Sequence, residues 1–417
     1  MPPPPLDPDA ARAGLIPTLR EVCECLAPLG RTPCSPGERE AAAWIGERLR
    51  RAGADPVDLE DEPSWGTFPP TVTVIAATGA VGAALAARGR RCTGLLLALA
   101  SAAGVLDEAE NGPRIVRRLL RRRRTTVNVV GRAGDPTATR TLVVLAHHDA
   151  AQSGVIFDQR LLRALHQRYP ERVEALRTSV PNWWVGLGAP LATLLSALSG
   201  RRGPARTGVA VGLLGTALMV DIWRRPTVPG ANDNLSAVAG LVAIAERLRA
   251  DPVPGLRVLL VSTGAEETLQ DGIRAYVARH GLELDPATTW FLTLDTVGSP
   301  RLILVEGEGP FVMRDYTDPS FRDLIADCAA TEGITLERGF RSRASADGVI
   351  PSRAGYPTAM LGSLTAWQAP GNYHLPTDTP DNLDYDTIAD ATRLSLAVAR
   401  ALANEDEPAA GRDLAAG

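Results

Sequence analysis

Five short segments of this sequence contain side chains that bind divalent metal ions. Their candidate ligands are His147 in AHHD, Asp233 in GANDN, Glu267 in GAEE, Asp295 in LDTVG and His374 in NYH. Histidine nitrogens and carboxylate oxygens are the ligands of catalytic zinc, which keeps one position open for water. Hydrolysis by a metal-activated water is therefore the first chemistry that these residues suggest.

The number of candidate ligands favours two ions over one. His147 with Asp295 can bind one ion, Glu267 with His374 the other, and Asp233 can bridge them. Each ion then has three protein ligands and shares a water. Taken singly, the residues also have simpler interpretations, such as a structural histidine at a strand end or a helix N-cap at Asp233.

Two more carboxylates fit this arrangement. Glu266 and Glu267 follow the apolar run LRVLLVST, and two adjacent buried carboxylates repel each other unless cations lie nearby. With Glu267 bound to metal, Glu266 remains beside the water as a general base. Asp149, two residues after His147, can accept the other ring N–H and select the tautomer.

The segments that position these residues alternate between strands and helices. Strands are predicted at 126–131, 141–146, 256–263, 289–295, 301–305 and 357–362, and helices within 15–51 and at 235–250, 270–280, 319–332 and 384–403. This alternation predicts an α/β fold with a mixed, mostly parallel central sheet flanked by helices. In such sheets reacting groups collect at the carboxyl ends of the strands, where His147, Glu266, Glu267 and Asp295 fall.

Two apolar hairpins interrupt this pattern, at 67–107 and 183–223. Each contains two apolar runs of roughly 14 to 20 residues, near the lower limit for a membrane span, and the runs are rich in Gly and Ala. Trp65, Trp183, Trp184 and Trp223 lie at their outer ends, as an interfacial aromatic belt would. We predict membrane insertion; the alternative is a soluble helical subdomain.

The predicted organisation is then a disordered tail at 1–14 and a catalytic domain in three parts, 15–66, 108–182 and 224–417, separated by the hairpins. With 417 residues, 45% of them hydrophobic and 22% charged, the chain can bury a full core. The net charge of -4 gives no reason to expect nucleic acid. Five cysteines indicate no disulfide framework and favour a reducing compartment, and the proline-rich N-terminus is unlike a signal peptide.

Arginines suggest an orientation. Six lie at the hairpin tips and nine on the catalytic side, so the positive-inside rule places the catalytic domain in the cytoplasm. The basic run at 117–124 can be a solvated helix or a contact with anionic lipid.

The motifs HHD at 147–149, GANDN at 230–234, GAEE at 264–267, LDTVG at 294–298 and YHLPTDTPDN at 373–382 resemble those of the co-catalytic zinc aminopeptidases of clan MH, which include bacterial leucyl aminopeptidases, glutamate carboxypeptidase and glutaminyl cyclase. SAD at 345–347 and GYP at 355–357 resemble the segment before the last core strand of that family. The resemblance covers 126–149 and 230–403 well and 15–62 loosely.

The resemblance implies a zinc-exopeptidase fold, two Zn²⁺ ions, a peptide substrate and the ligand roles given above. It also implies that Glu266 is the base, that Asp149 supports His147, and that Tyr373 stabilises the tetrahedral intermediate. The chain departs from the family in the roughly 80 residues between His147 and Asp233. Alternatives are therefore an amide hydrolase acting on a non-peptide or lipid-linked substrate, and an inactive binding protein.

Overall fold

In the described part of the chain, a nine-stranded sheet forms the centre of the segments that the sequence predicts as the catalytic domain. The computed structural model describes residues 8–404. The strands are β1 Val57–Ser64, β2 Arg124–Gly134, β3 Thr141–His147, β4 Arg257–Thr263, β5 Thr289–Leu294, β6 Arg301–Glu308, β7 Arg314–Asp315, β8 Glu337–Ser342 and β9 Thr358–Leu364.

The middle of the sheet is parallel and its two sides are antiparallel. The strand order is β1-β2-β4-β3-β5-β9-β6-β7, and β8 pairs with β6. Strands β4, β3, β5 and β9 run in one direction, with His147 opposite Thr263. The carboxyl ends of these four strands therefore meet at one edge, as the sequence predicts for a mixed, mostly parallel sheet.

Helices cover both faces of this sheet and form a separate bundle beside it. They are α1 Pro8–Ala13, α2 Ile16–Leu26, α3 Pro36–Ala52, α4 Pro69–Ala87, α5 Arg91–Ala109, α6 Ile115–Leu120, α7 Arg160–Arg168, α8 Pro170–Glu174, α9 Val185–Ser199, α10 Arg202–Arg224, α11 Ser236–Ala250, α12 Asp271–His280, α13 Pro319–Thr331, α14 Val349–Arg353 and α15 Tyr385–Asn404. The larger apolar core lies between one face of the sheet and helices α2, α3, α11, α13 and α15. A smaller core joins the other face to α12.

Three of the elements that differ from the sequence prediction are β1, β8 and α1. Strands β1 and β8 carry mostly polar residues (VDLEDEPS and ERGFRS), so no apolar run marks them. The predicted tail at 1–14 is helical from Pro8 to Ala13, where Arg12 forms a bidentate ion pair with Asp390. Because these two residues are 378 positions apart, no local sequence pattern could predict that this ion pair orders the segment. Residues 1–7 of that predicted tail lie outside the described residues.

The two predicted hairpins are α4–α5 and α9–α10, and they pack together as a four-helix bundle. Both tips meet, since the Arg91 guanidinium donates to the carbonyl of Gly200. Among the described residues, α4, α5 and α10 are long and apolar enough to cross a membrane. At 1.5 Å per residue the 19 residues of α4 extend about 28 Å, close to the roughly 30 Å of a bilayer core.

Small residues form the inside of the bundle. A Cβ at Gly212 would lie 2.8–3.0 Å from Ala80 atoms, and one at Gly82 would lie 2.8 Å from the carbonyl oxygen of Gly94. This close approach of backbones is typical of membrane helix packing. The large apolar side chains point outward: Leu96 is 68% exposed, Leu198 78% and Leu213 58%.

Buried ion pairs join the bundle to the catalytic domain. Arg114 pairs with Asp271, and Arg117 pairs with Glu108 near the end of α5 while donating to the carbonyl of Thr268. Arg114 and Arg117 are two of the nine arginines counted on the catalytic side, so they contribute no free charge there. The excess of free positive charge on the catalytic side over the hairpin tips is therefore smaller than the count of arginines suggests.

Candidate metal centre

The five predicted ligands meet at the carboxyl edge of the parallel strands. His147 ends β3, Asp295 directly follows β5, and Glu267 lies in a short 3-10 turn, Glu266–Thr268, after β4. Asp233 comes from the loop before α11, and His374 from the loop after β9. These side chains are all at least nine-tenths buried.

Asp233 lies between the two histidines. Its Oδ1 is 3.1 Å from Nε2 of His147, and its Oδ2 is 2.9 Å from Nε2 of His374. Nε2 of His374 is also 3.2 Å from Oε1 of Glu267. Each oxygen of one carboxylate thus faces a different histidine, which is the arrangement a bridging carboxylate needs.

The donor atoms form two groups that share Asp233. His147, Asp233 and Asp295 make one, and Asp233, Glu267 and His374 make the other; within each group the candidate atoms lie within 4.8 Å of one another. Nε2 of His374 and Oε1 of Glu267 are buried without a hydrogen-bond partner among the described residues, although they lie close together. Donor atoms that converge in this way suit a cation between them.

The charges of the site also favour cations. Burial, reinforced by neighbouring carboxylates, raises the pKa of Glu266 and of Asp295 well above the ordinary range, and burial raises that of Glu267. Burial raises the pKa of Asp347, close to these groups, to about 7. So many carboxylates in one buried place repel each other unless positive charge is supplied. The nitrogen and oxygen donor set therefore fits zinc.

The carboxylate of Glu266 belongs to neither of the two groups that share Asp233, although with His147 and Glu267 it forms a third group of converging donor atoms. Gln270 donates from Nε2 to Oε1 of Glu266 at 2.7 Å and to the carbonyl of Ser345 at 2.7 Å. The sequence analysis missed Gln270, because its position at the start of a helix gives no sign of its target. This hydrogen bond restricts the rotamer of Glu266 and leaves its other oxygen available for proton transfer.

Asp149 links His147 to the turn that carries both glutamates. Its Oδ1 lies 3.4 Å from Nδ1 of His147, on the ring edge away from Asp233. The same carboxylate accepts the backbone N–H groups of Glu266 and Glu267 at 3.0 and 2.9 Å. Asp149 is therefore placed both to select the histidine tautomer and to position the turn.

Polar side chains from distant segments join the loops of the site. Arg31 is fully buried and donates to the carbonyls of His148, Pro229 and Gly230. Asp378 accepts the backbone N–H groups of Asn232 and Asp233. The sequence analysis assigned no role to Arg31 or Asp378, since a lone arginine and an aspartate in a turn-rich loop are common on surfaces.

The asparagines of GANDN connect neighbouring loops. Asn234 donates to the carbonyl of Leu294 and accepts the N–H of Thr296, on either side of Asp295. Asn232 accepts the N–H of Gly298 at 2.8 Å. The sequence suggests turn residues here, whereas the structure shows that they join the Asp233 loop to the Asp295 loop.

Glu38 accepts hydrogen bonds from the segment that leads into the Glu266–Thr268 turn and from two other segments. Its Oε1 accepts the N–H of Ala265 and the hydroxyl of Thr126, and its Oε2 accepts the N–H of Cys34. Burial raises the pKa of Glu38 to about 8. Ala265 has a φ of 52°, in the left-handed region that costs free energy for a residue with a Cβ. The hydrogen bond from its N–H to Glu38 helps to hold the backbone in this conformation.

Tyr373 packs directly against a candidate ligand. Its ring stacks on His374 with centroids 3.9 Å apart, and Phe157 contacts His374 edge-on at 4.4 Å. Burial, with the nearby charges of Asp233 and Glu267, raises the pKa of Tyr373 well above its ordinary range. The hydroxyl therefore stays protonated and can donate a hydrogen bond.

An apolar pocket adjoins Glu267 and His374, and the ends of the bundle form part of its wall. Phe68 precedes α4, Pro69 begins it, and Ile222 lies two residues before the end of α10. Phe157, Ala150 and Ala151 from the loop after β3 line the rest of this apolar surface. Nothing in the sequence marks these residues as part of a pocket.

Most of this site lies in a segment that matches a protein-family model. Residues 219–399 match the model described as Peptidase family M28. This segment is similar to peptidase family M28, and the match covers less than half of the chain. It contains Asp233, Glu267, Asp295 and His374, whereas His147 precedes it, beyond the second hairpin. No curated protein matches the chain.

Solved structures share the fold at low sequence identity. The LapA aminopeptidase of Legionella pneumophila has a TM-score of 0.55 and 12% identity, over 96% of this chain and 75% of that one. The aminopeptidase of Aneurinibacillus sp. strain AM-1 has a TM-score of 0.53 and 14% identity, over 92% and 93%. The glutaminyl cyclase of Tannerella forsythia has a TM-score of 0.52 and 15% identity, over 97% and 100%.

Family and fold together support a metal-dependent peptidase of the M28 type. The predicted recognition of a clan MH protein and the predicted fold class are confirmed. The roles of the individual site residues stay predictions, because neither comparison tests them.

Proposed function

We propose that this protein is a two-zinc aminopeptidase that removes N-terminal residues from peptides. The observation that carries the proposal is the position of Asp233, with one carboxylate oxygen facing His147 and the other facing His374. Two ion sites that share a carboxylate are suited to activating one water between them.

The proposed ligands are His147 and Asp295 for one zinc, Glu267 and His374 for the other, and Asp233 for both. The zinc ions, when bound, lower the pKa of water and polarise the scissile carbonyl. Glu266 accepts the proton of the attacking water and donates it to the leaving amine. The hydrogen bond from Gln270 keeps Glu266 aimed at the reacting atoms during both transfers.

Two residues complete the proposed mechanism. Asp149 keeps Nδ1 of His147 protonated, so that Nε2 presents its lone pair to the metal side. Tyr373 donates from its hydroxyl to the oxygen on which negative charge develops, which stabilises the transition state.

We further propose that the four-helix bundle anchors the protein in a membrane, with the catalytic domain on the cytoplasmic side. The support is the bundle itself: small residues inside, large apolar residues outside, and three helices of sufficient length. Flotation of the protein with liposomes after reconstitution tests this part. Recovery in the aqueous fraction without detergent would contradict it.

The catalytic proposal is tested by Glu266→Gln with zinc content measured in parallel. We expect kcat on leucyl-4-nitroanilide to fall by about 10²–10⁴-fold, the usual contribution of a general base. Two zinc ions per chain should remain, because Glu266 is not a proposed ligand. Loss of zinc together with activity would reject Glu266 as the base.

Exposed Glu40 provides a matched control, since Glu40→Gln makes the same chemical change away from the site. Activity and zinc content should both stay at the level of the unmodified protein. One zinc per chain, with cyclisation of an N-terminal glutamine, would favour the chemistry of the cyclase neighbours. Two zinc ions with activity only on acyl amides would favour an amide hydrolase instead.

A further inference from the structure

The wall of the pocket beside the metal centre belongs to two parts of the protein at once. On one side are residues of the catalytic domain, including Phe157, which contacts His374. On the other are Phe68, Pro69 and Ile222, which we call the bundle wall. The inserted hairpins therefore contribute directly to the surface that a substrate contacts.

Hydrogen bonds fix the bundle wall to the loop that follows His147. Gln152 donates to the carbonyls of Trp223 and Arg225, and accepts from the hydroxyl of Thr67. Asp221 of α10 accepts the N–H of Val155 at 2.8 Å. The bundle ends and the catalytic loop thus form one continuous structure around the pocket.

The bundle wall lies at the level where the apolar bundle ends. Pro69 is the first residue of α4, and only Trp223 and Arg224 follow Ile222 in α10. Phe68 packs on Trp183 with ring centroids 5.8 Å apart, and Trp223 is 48% exposed. Tryptophans at helix ends mark the membrane–water interface of a spanning bundle.

The chemistry of the pocket limits what it can accept. Among the described residues that line it, only the candidate ligands Glu267 and His374 have ionisable side chains. Such a surface favours an apolar side chain and disfavours a charged one, whose desolvation would not be compensated.

We infer that this protein acts on membrane-anchored peptides, whose N-terminal residue it binds at the membrane surface against the bundle wall. The inference rests on the proposed aminopeptidase activity and membrane anchoring, and adds the substrate class. A site at this level reaches an N-terminus only a few residues from the lipid. A catalytic domain standing well above the bilayer would not reach it.

The test uses zinc-loaded protein in liposomes and three peptides with the same N-terminal leucine. One peptide is soluble, one has a lipid anchor after three residues, and one has the same anchor after twenty. Three extended residues span about 10 Å. Both anchored peptides are equally concentrated at the surface. The difference between their rates therefore depends only on how close to the lipid the site can bind an N-terminus.

We expect the short anchored peptide to be cleaved at least as fast as the long one, and both at least tenfold faster than the soluble peptide at equal total concentration. Cleavage of the long peptide with the short one reduced tenfold or more would overturn the inference, and so would equal rates for anchored and soluble peptides. Failure of the proposed function has a different signature, since leucyl-4-nitroanilide and all three peptides would then remain intact.

Two wall variants make the argument specific. Ile222→Ala and Phe68→Ala should each lower kcat/KM for N-terminal leucine by about tenfold, with a smaller loss for N-terminal alanine, because they remove apolar contact with a large side chain. Leu96→Ala is the matched control, as Leu96 is exposed on α5 towards the tip. Equal losses for leucine and alanine in both wall variants would contradict contact between the wall and the substrate side chain.

Discussion

The catalytic domain and the four-helix bundle place their large side chains in opposite ways. In the catalytic domain, residues such as Phe291 and Leu142 are fully buried, and polar residues face outward. In the bundle, Gly82, Gly94 and Gly212 lie inside, and leucines face outward. One domain excludes water from its interior, and the other exposes an apolar surface, which fits the proposed membrane anchoring.

The two regions also differ in the contacts that hold their segments together. The metal centre is joined by charged and amide side chains, among them Arg31, Asp378 and Asn234, each contacting a distant loop. The bundle is joined by close backbone contact. Changes of charge should therefore affect the first region most, and changes of volume the second.

The largest expected effect is at the centre of the polar region. Asp233→Ala removes both carboxylate oxygens that face the histidines, so we expect less than about one zinc per chain and a loss of activity of at least 10³-fold. Atomic absorption and peptide hydrolysis measure the two outcomes. Exposed Asp381→Ala is the control, and normal zinc content in Asp233→Ala would contradict the bridging role.

The next effect concerns the junction between the two regions. Arg117→Met leaves the carboxylate of Glu108 buried without its partner, which should lower the free energy of unfolding by about 3–5 kcal/mol. The double variant Arg117→Met/Glu108→Gln should recover part of this loss, because no buried charge remains. Denaturant unfolding in detergent measures both; a double variant as unstable as the sum of its single changes would argue against direct pairing.

Within the bundle, volume should matter more than charge. Gly212→Leu places a side chain against the backbone of Ala80 and should cost about 1–3 kcal/mol. Gly203 lies in the same helix with open space around its Cβ position, so Gly203→Leu should leave stability nearly unchanged. Thermal unfolding in detergent compares them, and equal midpoints would mean that α10 and α4 do not pack as described.

The smallest effect depends on pH and lies on the outside of the catalytic domain. A hydrogen bond to Glu60 raises the pKa of His280 above its ordinary value near 6.5. Because the folded pKa is the higher one, this contact stabilises the protein fully below about pH 6.5 and loses its effect as the pH rises through the raised pKa. His280→Gln should therefore lower the free energy of unfolding, measured by denaturant titration, by up to about 1 kcal/mol at pH 6 and change it little at pH 9. An equal change at both pH values would exclude the charged pair.

The sequence predicted which candidate ligands come together better than it predicted the residues that hold them in place. His147, Glu267 and Asp295 follow apolar strands, so their meeting at one edge could be expected from strand direction alone. Arg31 and Glu38 act through contacts across many residues, so no local pattern indicates their partners. Gln270 joins Glu266, four residues away, to Ser345, 75 residues away, and only the folded chain shows the second contact. Strand β1 was not predicted for a related reason. Its residues are mostly polar, and it forms a strand because it pairs with β2 and not because it is buried.

The hairpins were predicted from apolar length and from the tryptophans at their ends. Their packing into one bundle was not, because the glycines that make the contacts, such as Gly208 and Gly212, are recognisable only once α10 lies against α4. The contribution of Ile222 to the pocket is likewise invisible in a segment that otherwise has the composition of a membrane span.

The position of the hairpins along the chain has a consequence for release from a membrane. They lie within the catalytic domain, and the second one separates His147 from Asp233. Proteolytic cuts that removed both hairpins would leave the catalytic domain in three fragments, with the candidate zinc ligands divided between two of them. Under the proposed anchoring, cleavage could therefore not release an intact soluble form, and the protein could leave the membrane only as the whole chain.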